Sequence, residues 1–109
     1  ILLMDEPLAA LDAQTRVILQ DELLRIWGQD KPAADRRTVL FITHAIDEAV
    51  FLADRVVVLS SHPGRLKRIV DIDLPRPRND ATRRSPEFAA LSQFIWDLIR
   101  EEAYRATMN

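Results

Sequence analysis

Hydrophobic positions along the chain change their period several times. Ile1-Leu2-Leu3-Met4 is a short continuous apolar run that Asp5-Glu6-Pro7 brings to a stop. Such a run reads as a strand covered on both faces, as in a parallel sheet. Asp12 stands where a helix N-cap belongs, and Val17, Leu23, Leu24 and Trp27 then fall near one face at helical spacing, with Arg16, Gln20 and Arg25 largely elsewhere. Gly28 ends that helix, and residues 29–37, with Pro32 among them, form a loop. Thr38-Val39-Leu40-Phe41-Ile42-Thr43 is β-branched and apolar on both faces, a second buried strand, with His44 directly after it. Residues 46–52 read as a short helix and 55–59 as a third strand. Strands alternating with helices predict parallel crossovers and an α/β sheet.

Beyond His62-Pro63-Gly64, a turn in which His62 is solvated, the period drops to two: Val70, Ile72 and Leu74 alternate with Asp71 and Asp73. This strand and the third form an antiparallel hairpin at the margin of the sheet. Pro75-Arg76-Pro77-Arg78 ends it, because proline donates nothing to a ladder. Residues 79–85 are polar and basic; Arg76, Arg78, Arg83 and Arg84 read as a solvated linker. A last helix runs from Ser85-Pro86-Glu87 to about Tyr104, with Phe88, Leu91, Ile95, Leu98 and Ile99 on one face and its aromatics in the core.

Composition narrows the chemistry. The chain has 109 residues, 48% hydrophobic and 29% charged, as one globular domain would. It contains no cysteine, which excludes disulfides, thiolate zinc sites and a cysteine nucleophile. A net charge of -2 argues against a nucleic-acid partner. The two glycines, Gly28 and Gly64, are too far apart for a phosphate-cradling G-x-x-x-x-G-K-[ST] loop or for G-x-G-x-x-G. The histidines are too far apart for H-E-x-x-H. No apolar run is long enough to span a membrane. The opening run has neither an initiator methionine nor a turn before it, so the chain is expected to be the C-terminal piece of something longer.

Ligands of open parallel sheets sit outside the carboxyl ends of strands. Two such ends carry polar groups here, Asp5-Glu6 and Thr43-His44. If the strands are neighbours, two carboxylates and an imidazole converge. One carboxylate can hold a hard cation through water and the other can orient an attacking water, while the histidine can reach a phosphoryl oxygen. The plainer alternatives are a turn and helix entry for Asp5-Glu6-Pro7, a structural histidine, and a helix-face pair of His44 with Glu48.

Taken in order, Ile1-Leu2-Leu3-Met4-Asp5-Glu6-Pro7, Ala10-Leu11-Asp12, Thr43-His44, Glu48-Ala49 and Ala53-Asp54-Arg55 resemble the second half of an ABC transporter ATP-binding subunit over roughly residues 1–60. The resemblance implies a P-loop NTPase-like parallel sheet, incomplete because the Walker A strand is absent, followed by an antiparallel hairpin and a helix. Residues 1–75 would be the C-terminal part of the ATPase domain, with Walker B, D-loop and H-loop, and residues 76–109 a C-terminal extension with an amphipathic helix. It implies that Asp5 holds Mg²⁺ through water, that Glu6 is the catalytic carboxylate, that His44 contacts the γ-phosphate of ATP, and that Asp12 lies at the interface of two ATPase subunits.

The segments 11–16, 19–20 and 43–49 and the tail Leu74-Pro75-Arg76-Pro77-Arg78 are similar to the importers of nitrate, sulfonate and taurine-type anions. Leu8-Ala9, where that branch commonly has Phe-Gly, and a longer loop at 29–37 depart from it. The implied partners are a second ATPase subunit, transmembrane permease subunits and, indirectly, a solute-binding protein. The implied place is the cytoplasmic face of the cell membrane.

Without a Walker A loop and an LSGGQ segment, the chain alone is expected to be inactive. The Walker A strand of this family lies between the strands that correspond to 38–43 and 55–59, so the isolated piece is also expected to be unstable, repacked or aggregated. The alternative function is a truncated, non-catalytic interaction module unable to bind ATP by itself.

Overall fold

The opening apolar run forms β1 (Leu2–Asp5), which pairs in parallel with β2 (Val39–Ile42) in the register Leu2↔Val39 to Asp5↔Ile42. The structure, a computed structural model, describes residues 1–29, 31–32, 36–60 and 65–108, and for 102 and 105–108 the backbone alone. The turn expected at His62-Pro63-Gly64, and part of the 29–37 loop, lie outside the described residues. The crossover between β1 and β2 is α1 (Ala13–Ile26). Asp12 caps it by accepting the Thr15 N–H at 2.9 Å. Its other end closes through Gly28 at φ 80, with Gly28 N–H donating to Arg25 O and Gln29 N–H to Leu24 O. That paired closure requires a left-handed residue, and only glycine takes the conformation without strain.

A short α2 (Ile46–Leu52) leads into β3 (Arg55–Leu59), which pairs antiparallel with β4 (Leu66–Asp71). The single sheet expected from the alternation is two two-stranded sheets, β1-β2 and β3-β4. The hairpin is as expected, but its second strand lies earlier than 70–74, and the alternation of Val70, Ile72 and Leu74 still carries all three into the core.

One core joins the elements. Leu24 and Trp27 of α1, Val50, Phe51 and Leu52 of α2, Val58, Val70, Ile72 and Leu74 from the hairpin region, and Phe88 and Ile95 of α4 (Pro86–Met108) form a contiguous buried cluster. Trp27 meets Phe41 edge-on at 5.9 Å between ring centroids. Burying a side chain such as Phe51 or Leu24 contributes about 1.5–3 kcal/mol.

Burial departs from the sequence pattern in three places. β1 and β2 are not covered on both faces: Met4, Val39 and Phe41 pack on the core, whereas the paired Leu3 and Leu40 are more than half exposed. The hairpin behaves likewise, with Val57 opposite Ile69 on an open face. Among the described residues no layer lies over those faces, so the apolar composition of the strands is not matched by burial. In α4, Phe88, Leu91, Ile95 and Leu98 pack as expected, but Ile99 and the aromatics Phe94, Trp96 and Tyr104 are exposed. A helix buries one stripe only, and these residues lie off it.

The third departure is the basic tail, which is not a solvated linker. The Arg78 guanidinium is buried and donates to the carbonyls of Val50, Phe51, Ala53, Ile72 and Leu74. Three of those carbonyls belong to the last turn of α2 and its C-cap residue Ala53, where intrahelical donors run out. The Gln29 side chain grips the Arg78 backbone in both directions, at 2.8 and 3.1 Å. Arg76 reaches Leu52 O at 2.8 Å and Asp54 Oδ1 at 3.0 Å. Residues 80–83 form a one-turn helix, α3 (Asp80–Arg83), closed by a capping box between Asn79 and Thr82. From it Arg83 lies 3.8 Å over the Phe51 ring and pairs with Asp21 at 3.0 Å. Of the four arginines, Arg84 is the exposed one.

Candidate functional site at the ends of the parallel strands

Parallel pairing in register brings the two polar strand ends side by side. The ladder extends one residue beyond β1, where Glu6 N–H donates to Ile42 O at 2.7 Å. Glu6 itself turns out of the strand with φ 47, a left-handed conformation that costs a non-glycine residue about 1–3 kcal/mol. The turn after it is tied by Ala9 N–H to Glu6 O and Leu11 N–H to Leu8 O, with Leu8 buried beneath. This geometry carries the Glu6 carboxylate across to the neighbouring strand end. Its Oε1 lies 2.9 Å from Nε2 of His44, whose side chain is 92% exposed against 34% for Glu6. Of the two carboxylates expected to converge with the imidazole, Glu6 meets His44, and both groups face solvent, where a ligand could reach them.

Asp5 is exposed at the last position of β1, and no hydrogen bond or ion pair joins its carboxylate to Glu6 or His44. Asp12 stands at the start of α1, where no hydrogen bond or ion pair joins its carboxylate to Glu6 or His44. The Thr15 backbone N–H, with further help from the Thr15 hydroxyl and the Gln14 N–H, holds the Asp12 carboxyl below its ordinary value. A carboxyl whose value is lowered on folding stabilises the fold above its ordinary range. That contribution is lost as pH falls through the lowered value. Asp12→Asn is thus expected to abolish an acid-dependent fraying of the first turn of α1, as read by amide exchange at Thr15 in the parent and the variant as pH falls through and below the ordinary carboxylate range.

His44 and Glu48 are not a helix-face pair. His44 precedes α2, and Glu48 points into the protein, 1% exposed. Its carboxylate accepts from the Thr43 hydroxyl at 2.7 Å, from Gln20 Nε2 at 3.0 Å and from Arg16 Nη2 at 3.2 Å. Gln20, expected away from the packed face of α1, is buried with it. Sequence reasoning missed this cluster. The available signal was the spacing of Arg16 and Gln20, which puts two polar donors on one side of a helix beside the apolar stripe.

No family model matches the chain. Individual proteins do. The chain is 57% identical over 99 residues, 91% of its length, to a Brucella abortus protein named as ATP-binding. It is 54% identical over 106 residues, 97% of its length, to an ABC transporter ATP-binding protein of Methanocaldococcus jannaschii. The chain belongs to the ATP-binding proteins of ABC transporters. Another member of that family, the aliphatic sulfonates import ATP-binding protein of Bacillus licheniformis, is 46% identical over 95 residues. The chain spans little more than a third of the length of these relatives, 36%, 37% and 34% in turn. Within the family, then, residues 1–109 correspond to one part of an ATP-binding subunit. Among the described residues no helix is long and apolar enough to cross a membrane.

Proposed function

We propose that the subunit to which these residues belong hydrolyses ATP to drive import of a small anion, and that residues 1–109 supply the hydrolytic side of its site. The observation that carries the reading is the 2.9 Å approach of His44 to Glu6 at adjacent strand ends. In this reading Glu6 orients and polarises the attacking water, and the His44 imidazole contacts the γ-phosphate. Asp12 faces a second ATPase subunit.

Asp5 would hold Mg²⁺ through water. Among the described residues, no three His, Cys, Asp or Glu side chains are grouped to cage a metal. A single exposed carboxylate suits magnesium, which keeps most of its water and takes phosphate oxygens. The bound ion would neutralise charge on the phosphates.

The phosphate cradle itself would come from sequence other than these 109 residues. The separation of β1-β2 from β3-β4 supports an incomplete sheet. The sulfonate importer of Bacillus licheniformis supports an anionic solute. The partners would be membrane permease subunits and a solute-binding protein, with the subunit at the cytoplasmic face of the membrane.

The test is His44→Ala in the complete subunit with its membrane partners. Steady-state ATP hydrolysis is expected to fall about a hundredfold or more, with nucleotide affinity nearly unchanged. A variant that hydrolyses ATP at the parent rate removes His44 from the chemistry.

A further inference from the structure

The cluster around Glu48 does more than fill space. A carboxylate taken out of water costs free energy unless its lone pairs are met, and a buried ion pair is a weak source of stability compared with apolar packing. Glu48 sits beside Val50 and Phe51, where an apolar side chain could have packed. Instead its three donors come from the two segments that flank the candidate site. Thr43 is the residue immediately before His44. Its hydroxyl donates to Glu48 Oε2 and accepts the Ala45 N–H at 3.0 Å, so the backbone on both sides of His44 is tied to one oxygen. Arg16 and Gln20 belong to the helix that begins at Asp12 and continues from the turn after Glu6. Gln20 is held in turn by Arg83, whose Nη2 donates to its Oε1 at 3.1 Å.

The His44 side chain is itself almost wholly exposed, so little besides the Glu6 carboxylate at 2.9 Å orients its ring. Its placement depends on the Thr43–Ala45 backbone. A polar network that is satisfied only as a set permits one arrangement and excludes its neighbours. We infer that Glu48 is a positioning residue: through the Thr43 hydroxyl it fixes His44 against Glu6, and through Arg16 and Gln20 it locks that arrangement to the helix headed by Asp12. The inference rests on the proposed roles of Glu6 and His44.

The experiment uses the complete subunit assembled with its membrane partners and reads kcat, KM for ATP and melting temperature. Thr43→Val keeps the shape and removes the hydroxyl; kcat is expected to fall about tenfold to a hundredfold, as a small misplacement does, while KM stays within about twofold. Thr43→Ser, which keeps both hydrogen bonds, restores kcat. In a His44→Ala background Thr43→Val has no further effect, because the hydroxyl acts through the imidazole. Glu48→Gln lowers kcat in the same direction and carries the test if Thr43→Val does not fold. The inference is overturned if Thr43→Val or Glu48→Gln, once folded, keeps kcat near the parent value. It is equally overturned if the loss with Thr43→Val persists without His44. If Glu6→Gln and His44→Ala both leave hydrolysis intact, the proposed function has failed. If they abolish it while Thr43→Val does not, only the role of Glu48 has.

Discussion

Glu6→Gln in the complete subunit is expected to reduce single-turnover ATP hydrolysis by about 10²–10⁴-fold, the contribution of a well-placed general base, while ATP still binds. Glutamine keeps the length and shape of the side chain. Its amide oxygen can still face His44 Nε2, which lies 2.9 Å from the carboxylate, so the strand ends need not move. What it cannot do is take a proton or carry charge. Binding and chemistry are thereby separated: nucleotide titration should give nearly the parent affinity, and rapid-quench hydrolysis should show little product. Glu6→Asp withdraws the carboxylate by one methylene and is expected to recover only part of the rate, because the left-handed turn at Glu6 aims the longer side chain. Hydrolysis by Glu6→Gln at a rate close to the parent would move the role of base to another group.

Arg78→Met should cost about 3 kcal/mol or more of stability, the largest loss from any single substitution in the tail. The methionine can occupy the volume of the arginine stem but donates nothing. Five carbonyls lose their donor at once, and an unmet buried acceptor costs about 1–3 kcal/mol. Burial, followed by repulsion from Arg76, pushes the Arg78 value down to about 10, so the guanidinium remains charged at neutral pH and its hydrogen bonds are charge-assisted. Arg78→Lys restores a charge but not the planar fork, and should fall between parent and Met. Arg84→Met, at an exposed position, should change stability by less than about 0.5 kcal/mol. Denaturant titration of the complete subunit ranks the three. Equal midpoints for Arg78→Met and Arg84→Met would mean that the Arg78 contacts are not what holds the tail to α2.

The polar strand ends were legible because both signals are local. Asp5-Glu6 and Thr43-His44 each follow an apolar run directly, and parallel pairing in register brings the ends together. Asp12 and Gly28 were legible for the same reason, since a cap answers to the few residues beside it. Glu48 was not. Only Thr43, five positions away, is a local donor; Gln20 and Arg16, which complete the set, are 28 and 32 positions away in the sequence. The basic tail misled for a related reason. Four arginines among prolines read as solvated, yet Arg78 is 25 to 28 positions from the α2 carbonyls that it serves.

Periodicity, capping residues and breakers along the chain were enough to locate the three early strands, the helix behind Asp12, the short α2, the hairpin and the long last helix, and to place Asp5-Glu6 and Thr43-His44 at strand ends. Those features depend on interactions within a turn or on the alternation of a strand. Folding in three dimensions decided the rest: the division into two small sheets, the open faces of Leu3, Leu40, Val57 and Ile69, the closed ring around Glu48 and the burial of Arg78. A side chain's solvation depends on which distant segment packs over it, and that is a property of the assembled surfaces rather than of neighbouring residues in the chain.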